Sequence, residues 1–238
     1  VPGSFKTEAV VLRSIRFGEA DRVLHLFTED RGRVGAMAKG VRRVRSRLGG
    51  RLEPLSRVQL VLHEGRGELC TVSQADTVRA HAALRDRRAS LERASQACEA
   101  VLRLLDSSEP NRPAYNLLCN ELSLLDAHPE LATRSQALAF RLKLLLAAGF
   151  APELASCAAC GDSEHLGAFS PSSGGVVCAG CEAGSFPLGE DAHRFLVASL
   201  ARPLADAPKA PERALSQADR AISETVEYHA HVRLRRVA

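Results

Sequence analysis

Apolar and polar positions alternate in short bursts through the first eighty residues, and then the period changes. Arg22-Val23-Leu24-His25-Leu26 and Arg57-Val58-Gln59-Leu60-Val61-Leu62 repeat every second residue, the pattern of strands with one buried face. Ala9 to Ile15, Arg22 to Thr28, Arg33 to Ala38, Arg57 to His63 and Glu68 to Asp76 are rich in Val, Leu and Ile and predict five strands. Phe17-Gly18-Glu19, Glu29-Asp30-Arg31-Gly32, a long polar stretch after Ala38, and Glu64-Gly65-Arg66-Gly67 separate them. No helical period precedes about residue 80, and the third connection is the long one. These features predict a small closed barrel.

Beyond residue 80, Leu91, Ala94, Ala97, Cys98, Val101, Leu102 and Leu105 recur at helical spacing, and Asp106-Ser107-Ser108-Glu109-Pro110 ends that helix. A second helix is expected from Pro113 through Leu125, stopping before Pro129. Thr133 reads as the N-cap of a third, which runs to Gly149. A fourth is expected over Glu190 to Ala201. A last one, Glu212 to Arg236, ends in the basic turn Arg233-Leu234-Arg235-Arg236, which suits a helix C-terminus. The fold class is therefore α+β and multidomain. An N-terminal five-stranded OB-fold barrel precedes an α-helical bundle interrupted by a cysteine-rich hairpin. The OB-fold matches the long third-to-fourth connection, and an SH3-like barrel fits the pattern too. The expected boundaries are 1–80 for the barrel, 81–150 with 186–238 for the helical domain, and 151–185 for the hairpin.

That hairpin holds the strongest chemical signal. Cys157 and Cys160 form one C-x-x-C pair, Cys178 and Cys181 a second, with seventeen residues between them. Each pair can grip two corners of a metal tetrahedron, and Ser172-Ser173-Gly174-Gly175 offers the turn that brings them together. Four sulfurs leave no coordination position open, so a Zn2+ held there would be structural. Two disulfides or a redox-active C-x-x-C are the competing assignments. The remaining thiols, Cys70, Cys98 and Cys119, show no paired spacing.

The 238 residues are 45% hydrophobic and 25% charged, as in ordinary globular proteins. The longest apolar run, around Leu144 to Phe150, is too short to cross a bilayer. Val1-Pro2-Gly3-Ser4 has no signal-like character, so a cytoplasmic location is expected. Net charge is +4, but residues 1–80 hold fifteen basic and nine acidic side chains, a balance of +6, and the remainder balances to −2. Within the positive third, the stretch from Lys39 to Arg51 has six basic side chains and no acid. It reads as a polyanion site, against the alternative of a solvated loop.

Catalytic constellations are missing. The chain has no G-x-x-x-x-G-K-[ST] loop, no G-x-S-x-G elbow and no H-E-x-x-H. The acids of Phe17-Gly18-Glu19-Ala20-Asp21 are expected to accept hydrogen bonds from backbone amides in a turn. His165 is expected to be a solvated loop residue. No enzyme and no small-molecule substrate is expected.

Several stretches resemble the start of bacterial RecO recombination-mediator proteins. They are Ala9-Val10-Val11-Leu12-Arg13, Phe17-Gly18-Glu19-Ala20-Asp21-Arg22 and Leu26-Phe27-Thr28-Glu29-Asp30-Arg31-Gly32. Ala38-Lys39-Gly40-Val41-Arg42-Arg43 and Ser46-Arg47-Leu48-Gly49-Gly50-Arg51-Leu52-Glu53-Pro54 continue the likeness. The four-cysteine hairpin stands where many of that family carry zinc. The resemblance implies an OB-fold that binds single- and double-stranded DNA, anneals complementary strands and works with RecR. It also implies recombinase loading onto strands coated by single-strand-binding protein in RecF-pathway repair, and association with the nucleoid. By the same resemblance, Lys39, Arg42, Arg43, Arg45, Arg47 and Arg51 are the expected DNA contacts. Arg233, Arg235 and Arg236 are possible secondary ones, with helix-end solvation as the alternative.

Residues 1–80 contain only Phe5, Phe17 and Phe27, with no Tyr or Trp. Affinity should then come mainly from phosphate contacts and counterion release, with bases left free to pair. The competing functions are a protein-docking adaptor and an RNA-binding OB protein.

Overall fold

The structure is a computed structural model of the chain and describes residues 3–43, 46, 48–65 and 67–237. The chain divides into two compact units, Val1–Pro129 and Glu130–Ala238.

The first unit is built on β1 (Ser4–Phe17), β2 (Asp21–Thr28), β3 (Gly32–Ala38), β4 (Arg57–His63) and β5 (Cys70–Arg79). They close into a barrel in the order β1-β2-β3-β5-β4. A simple meander would put β4 beside β3. Here β5 takes that place, running parallel to β3 at Ala36↔Cys70 and Met37↔Thr71, which is the OB arrangement. β1 starts five residues earlier than its alternation suggests because it serves two neighbours. Its first half pairs with β4 and its second half with β2, with a register shift between Val11 and Arg13 where it passes from one to the other. Ala9, Val11, Leu24, Leu26, Ala36, Ala38, Val58, Leu60 and Leu62 fill the interior. Val41 and Leu52, from the β3–β4 connection, complete that core.

Two helices belong to this unit, α1 (Arg88–Leu104) and α2 (Arg112–Ala127). The compact unit therefore extends past the boundary expected at residue 80, because these helices pack with the barrel. The physical reason is apolar surface on the outside of the barrel: Val10 and Phe27 point outward yet are 0% and 1% exposed. Tyr115 of α2 covers Phe27 with ring centroids 6.0 Å apart, and its hydroxyl donates to Glu8 Oε1 at 2.9 Å. Arg33 Nη1 donates to the Leu102 carbonyl at the end of α1. Gly32 (φ 57°) lies so near the segment after α1 that a Cβ would meet the Glu109 carbonyl oxygen at 2.3 Å. Asn111 caps α2 through the Ala114 amide.

His81 ties the end of the β3–β4 connection to α2. Its Nδ1 donates to the Leu55 carbonyl at 2.7 Å, and its Nε2 lies 3.4 Å from Ser123 Oγ. Burial pushes its pKa below the ordinary histidine value, opposed by the Leu55 carbonyl and Asp126 and reinforced by Arg79 and Arg57. The unfolded chain thus binds a proton that the native chain refuses. The neutral ring's contribution is complete above about pH 6.5 and is lost as pH falls below it. Wild type should lose up to about 1.4 kcal/mol per pH unit more than His81→Gln below about pH 6.5, measured by urea unfolding. Parallel pH profiles would contradict this.

The second unit holds α3 (Arg134–Ala147), β6 (Leu166–Ser170), β7 (Gly175–Cys178), β8 (Phe186–Pro187), α4 (Glu190–Ala201) and α5 (Glu212–Ala230). Thr133 Oγ1 accepts from the Gln136 amide and caps α3, as its position predicts. Leu138, Phe140, Leu142, Leu144 and Leu145 bury α3 within the unit. α5 ends six residues short of the expected Arg236. His231 takes a left-handed conformation (φ 55°) and the chain leaves the helix. Arg141 then donates to the Arg235 carbonyl, and Val237 is 1% exposed. Arg233, Arg235 and Arg236 are therefore not a helical last turn. Burying Val237 outweighs continuing the helix.

Candidate metal centre and nucleic-acid interface

β6 and β7 pair antiparallel from Leu166↔Cys178 to Ser170↔Gly175, with the turn at the predicted serines and glycines. Gly174 is left-handed at φ 78°, and Ser170 Oγ accepts from the Ser173 amide. Gly175 abuts Glu153 so tightly that a Cβ would meet the Glu153 carbonyl at 2.3 Å. That contact, an isolated parallel bridge, joins the segment before the first cysteine pair to the hairpin. The first pair sits on a tight knuckle: the Gly161 amide donates to the Cys157 carbonyl at 2.8 Å, and Gly161 turns with φ 80°. The second pair lies where β7 runs into a short 3-10 turn at Ala179–Cys181.

These elements bring the sulfurs of Cys157, Cys160, Cys178 and Cys181 within 4.8 Å of one another. Cys160 Sγ and Cys178 Sγ are 3.7 Å apart. Four thiolates around one zinc at about 2.3 Å would stand about 3.8 Å from each other, so the spacing fits a tetrahedral metal. None of the seven cysteines is disulfide-bonded. The local electrostatics favour the first thiolate: the Cys178 amide donates to Cys157 Sγ at 3.4 Å. That bond and those from the Cys160 and Ala159 amides pull the Cys157 thiol down to about 6, against desolvation. The Cys160 thiol is raised, and Cys181 is pushed up to about 12, chiefly by its contacts with Cys160 and Cys178. A dication at the centre reverses that upward push, because each further thiolate then gains an attractive charge. His165 stands outside the cluster with its side chain 84% exposed.

The basic stretch forms the connection from β3 to β4. Its described apolar residues point in, with Val41 and Leu52 buried and Leu48 packed against the barrel core. Its cations point out, with Lys39, Arg42, Arg43 and Arg51 all exposed. Arg45 and Arg47 lie outside the described residues. The loop is fastened to the β1–β2 turn: Asp21 Oδ1 accepts from the Gly40 amide at 2.7 Å, the role expected of a turn acid. The Arg42 amide donates to the Ala20 carbonyl and its Nη1 to the Glu19 carbonyl, both at 2.9 Å. Farther on, Arg51 Nη1 donates to the Ala75 carbonyl at 3.3 Å, and Glu53 pairs with Arg22 at 2.9 Å. These bonds hold Gly40, Arg42 and Arg51 in place, so a ligand bound by Arg42 and Arg51 has less ordering to impose there.

Sequence reasoning missed cations that strand pairing gathers. Arg13 pairs with His25, and Arg33 shares their outward face two positions from Gly35, the partner of His25. The His25 pKa is pushed down by burial and then by Arg13 and Arg33, which marks a positive field on the outer face of β1, β2 and β3. The Arg33 end of that face is closed by α1 and Tyr115, which leaves Arg13 as its exposed cation. Scattered over twenty residues, these side chains gave no run to detect. Among the described residues, no helix is long and apolar enough to cross a membrane.

Comparison with known proteins is consistent along the chain. Residues 3–81 match the profile described as recombination protein O N terminal, and residues 90–237 match recombination protein O C terminal. The DNA repair protein RecO of Rubrobacter xylanophilus is 40% identical, the match spanning 92% of this chain and 88% of that protein. The DNA repair protein RecO of a Nocardioides species is 36% identical, over 94% of each chain. That of Bifidobacterium animalis is 42% identical, over 73% of this chain and 72% of its own.

Proposed function

The chain belongs to the RecO family of DNA repair proteins, and from that premise we propose that it is a DNA-binding mediator that anneals complementary single strands. The observation that carries this reading is the β3–β4 loop, which turns Val41, Leu48 and Leu52 into the barrel and Lys39, Arg42, Arg43 and Arg51 out to solvent. Cations on a pinned loop hold phosphates without reading base edges. Strands held by their backbones keep their pairing edges free, as annealing demands. In this reading Arg45 and Arg47 extend the same contact. Working with RecR, the protein would help load recombinase onto strands coated by single-strand-binding protein.

Cys157, Cys160, Cys178 and Cys181 would hold one structural Zn2+. With every coordination position filled by sulfur, the ion's contribution is to fold the hairpin. The protein is then a scaffold for strand annealing and not an enzyme.

A strand-annealing assay on complementary oligonucleotides coated with single-strand-binding protein tests the reading. Annealing should accelerate at least tenfold over the uncatalysed rate, and addition of RecR should allow recombinase filaments to form. A protein that binds single-strand-binding protein or RecR but leaves the annealing rate unchanged would be a docking adaptor instead. Tighter binding to single-stranded RNA than to matched DNA would move the function toward RNA.

A further inference from the structure

Three phenylalanines are the only Phe, Tyr or Trp residues in the first eighty residues, and the structure leaves one of them open. Phe27 is 1% exposed beneath Tyr115. Phe5 is partly buried, and the Arg31 guanidinium covers its ring at 3.8 Å from the centroid. Phe17 is 57% exposed. It ends β1 at the β1–β2 turn, opposite Asp21, and Gly18 beyond it has open space where a side chain would stand. Ile15, two positions earlier on the same strand face, is 40% exposed. A turn needs no large apolar pair, and leaving both in water costs solubility without aiding the barrel core.

The surroundings say what covers this ring. Arg42 anchors its guanidinium on the carbonyl of Glu19, two residues from Phe17, and Arg13 and Arg16 on β1 are exposed. Of the nearby acids, Asp21 is engaged with the Gly40 amide and Glu53 with Arg22. Glu19 alone remains exposed. An exposed apolar ring at the turn to which the basic loop is fastened suits a ligand with a flat uncharged face and an anionic backbone. A single-stranded nucleic acid has both.

We infer that Phe17 is a stacking platform for one unpaired base of a single strand whose phosphates lie on the β3–β4 loop. The inference rests on the DNA-binding reading above and sharpens it. Binding is not wholly phosphate-led, because one base is held by its π-face. Stacking occupies the face of a base and leaves its Watson–Crick edge exposed, so this contact is compatible with annealing. A duplex hides its base faces, so the ring distinguishes single strands from double strands where the loop does not.

The test compares wild type, Phe17→Ala and Phe17→Trp on oligo(dT) and on a duplex of equal length. Phe17→Ala should lose about fivefold or more in affinity for oligo(dT), the size of one base–aromatic stack, and should bind duplex as wild type does. Phe17→Trp should restore binding. The chain has no native Trp, so its fluorescence reports one site and should quench on binding oligo(dT). Val197→Trp, at a 44% exposed position on α4, should not quench. Unchanged oligo(dT) affinity in Phe17→Ala would overturn the inference while leaving the DNA-binding reading intact. An equal loss on duplex would also overturn it, showing a loosened loop instead of a lost stack. Absence of DNA binding in wild type would instead defeat the underlying reading.

Discussion

Replacing Lys39, Arg42, Arg43 and Arg51 together with alanine is expected to weaken single-stranded DNA binding about a hundredfold near physiological salt. Each phosphate neutralised on a single strand contributes about 0.7 to the slope of log affinity against log salt, so removing four should flatten that slope by about 3. The barrel should survive the change. All four side chains are exposed, and the loop residues that complete the core, Val41, Leu48 and Leu52, are retained. Inside the protein the change removes, among others, the bonds from Arg42 to the Glu19 carbonyl and from Arg51 to the Ala75 carbonyl. Anisotropy titrations at several salt concentrations, with a thermal melt of each protein, separate the two effects. A variant that melts like wild type and binds like wild type would remove the loop from the interface.

Cys157→Ser or Cys178→Ser is expected to abolish stoichiometric zinc and to unfold the β6–β7 hairpin. Both sulfurs are nearly buried, at 2% and 9% residue exposure. The hairpin's own core is small: Ala168 and Val177 with the two cysteines, flanked by Leu166 and Cys181. Such a core cannot support itself without a staple. Metal binding energy is folding energy in modules of this kind, so the local cost should be on the order of several kcal/mol. Zinc content by metal analysis should fall from one per chain to near zero, and limited proteolysis should cut between residues 157 and 185. DNA affinity should fall much less than in the loop variant, because the proposed phosphate contacts belong to the other unit. A cysteine variant that kept its metal and its hairpin but lost DNA binding outright would place the metal in the interface itself.

What the sequence disclosed follows the range of the forces involved. Alternation located β2, β3 and β4 within a residue, and the caps Thr133 and Gly149 bracketed α3, because these signals are local. The start of β1 was hidden because Thr7, a polar residue, takes a buried position at 3% exposure and interrupts the apolar rhythm. That α1 and α2 belong with the barrel could not be read from spacing. It depends on contacts such as Tyr115 to Glu8, 107 residues apart in sequence. The end of α5 carried no Gly or Pro to mark it, and the burial of Val237 decided it. The four cysteines were legible because metal geometry constrains their spacing, and the basic loop because its charges are consecutive. Arg13, His25 and Arg33 were not, since only strand pairing sets them on one face. Nor did anything local distinguish Phe17 from Phe5 and Phe27.

In the proposed function the four cysteines and the basic loop have separate tasks. One closes a hairpin in the second unit, and the other offers cations on the first. In the proposed function, phosphates bound on the β3–β4 loop carry the DNA affinity. The most direct test of that reading is the salt dependence of single-strand binding by the intact chain. Log affinity should fall linearly with log salt, with a slope near −3 or steeper that Lys39, Arg42, Arg43 and Arg51 largely account for. Affinity that barely responds to salt, or a slope that those four substitutions leave unchanged, would contradict it.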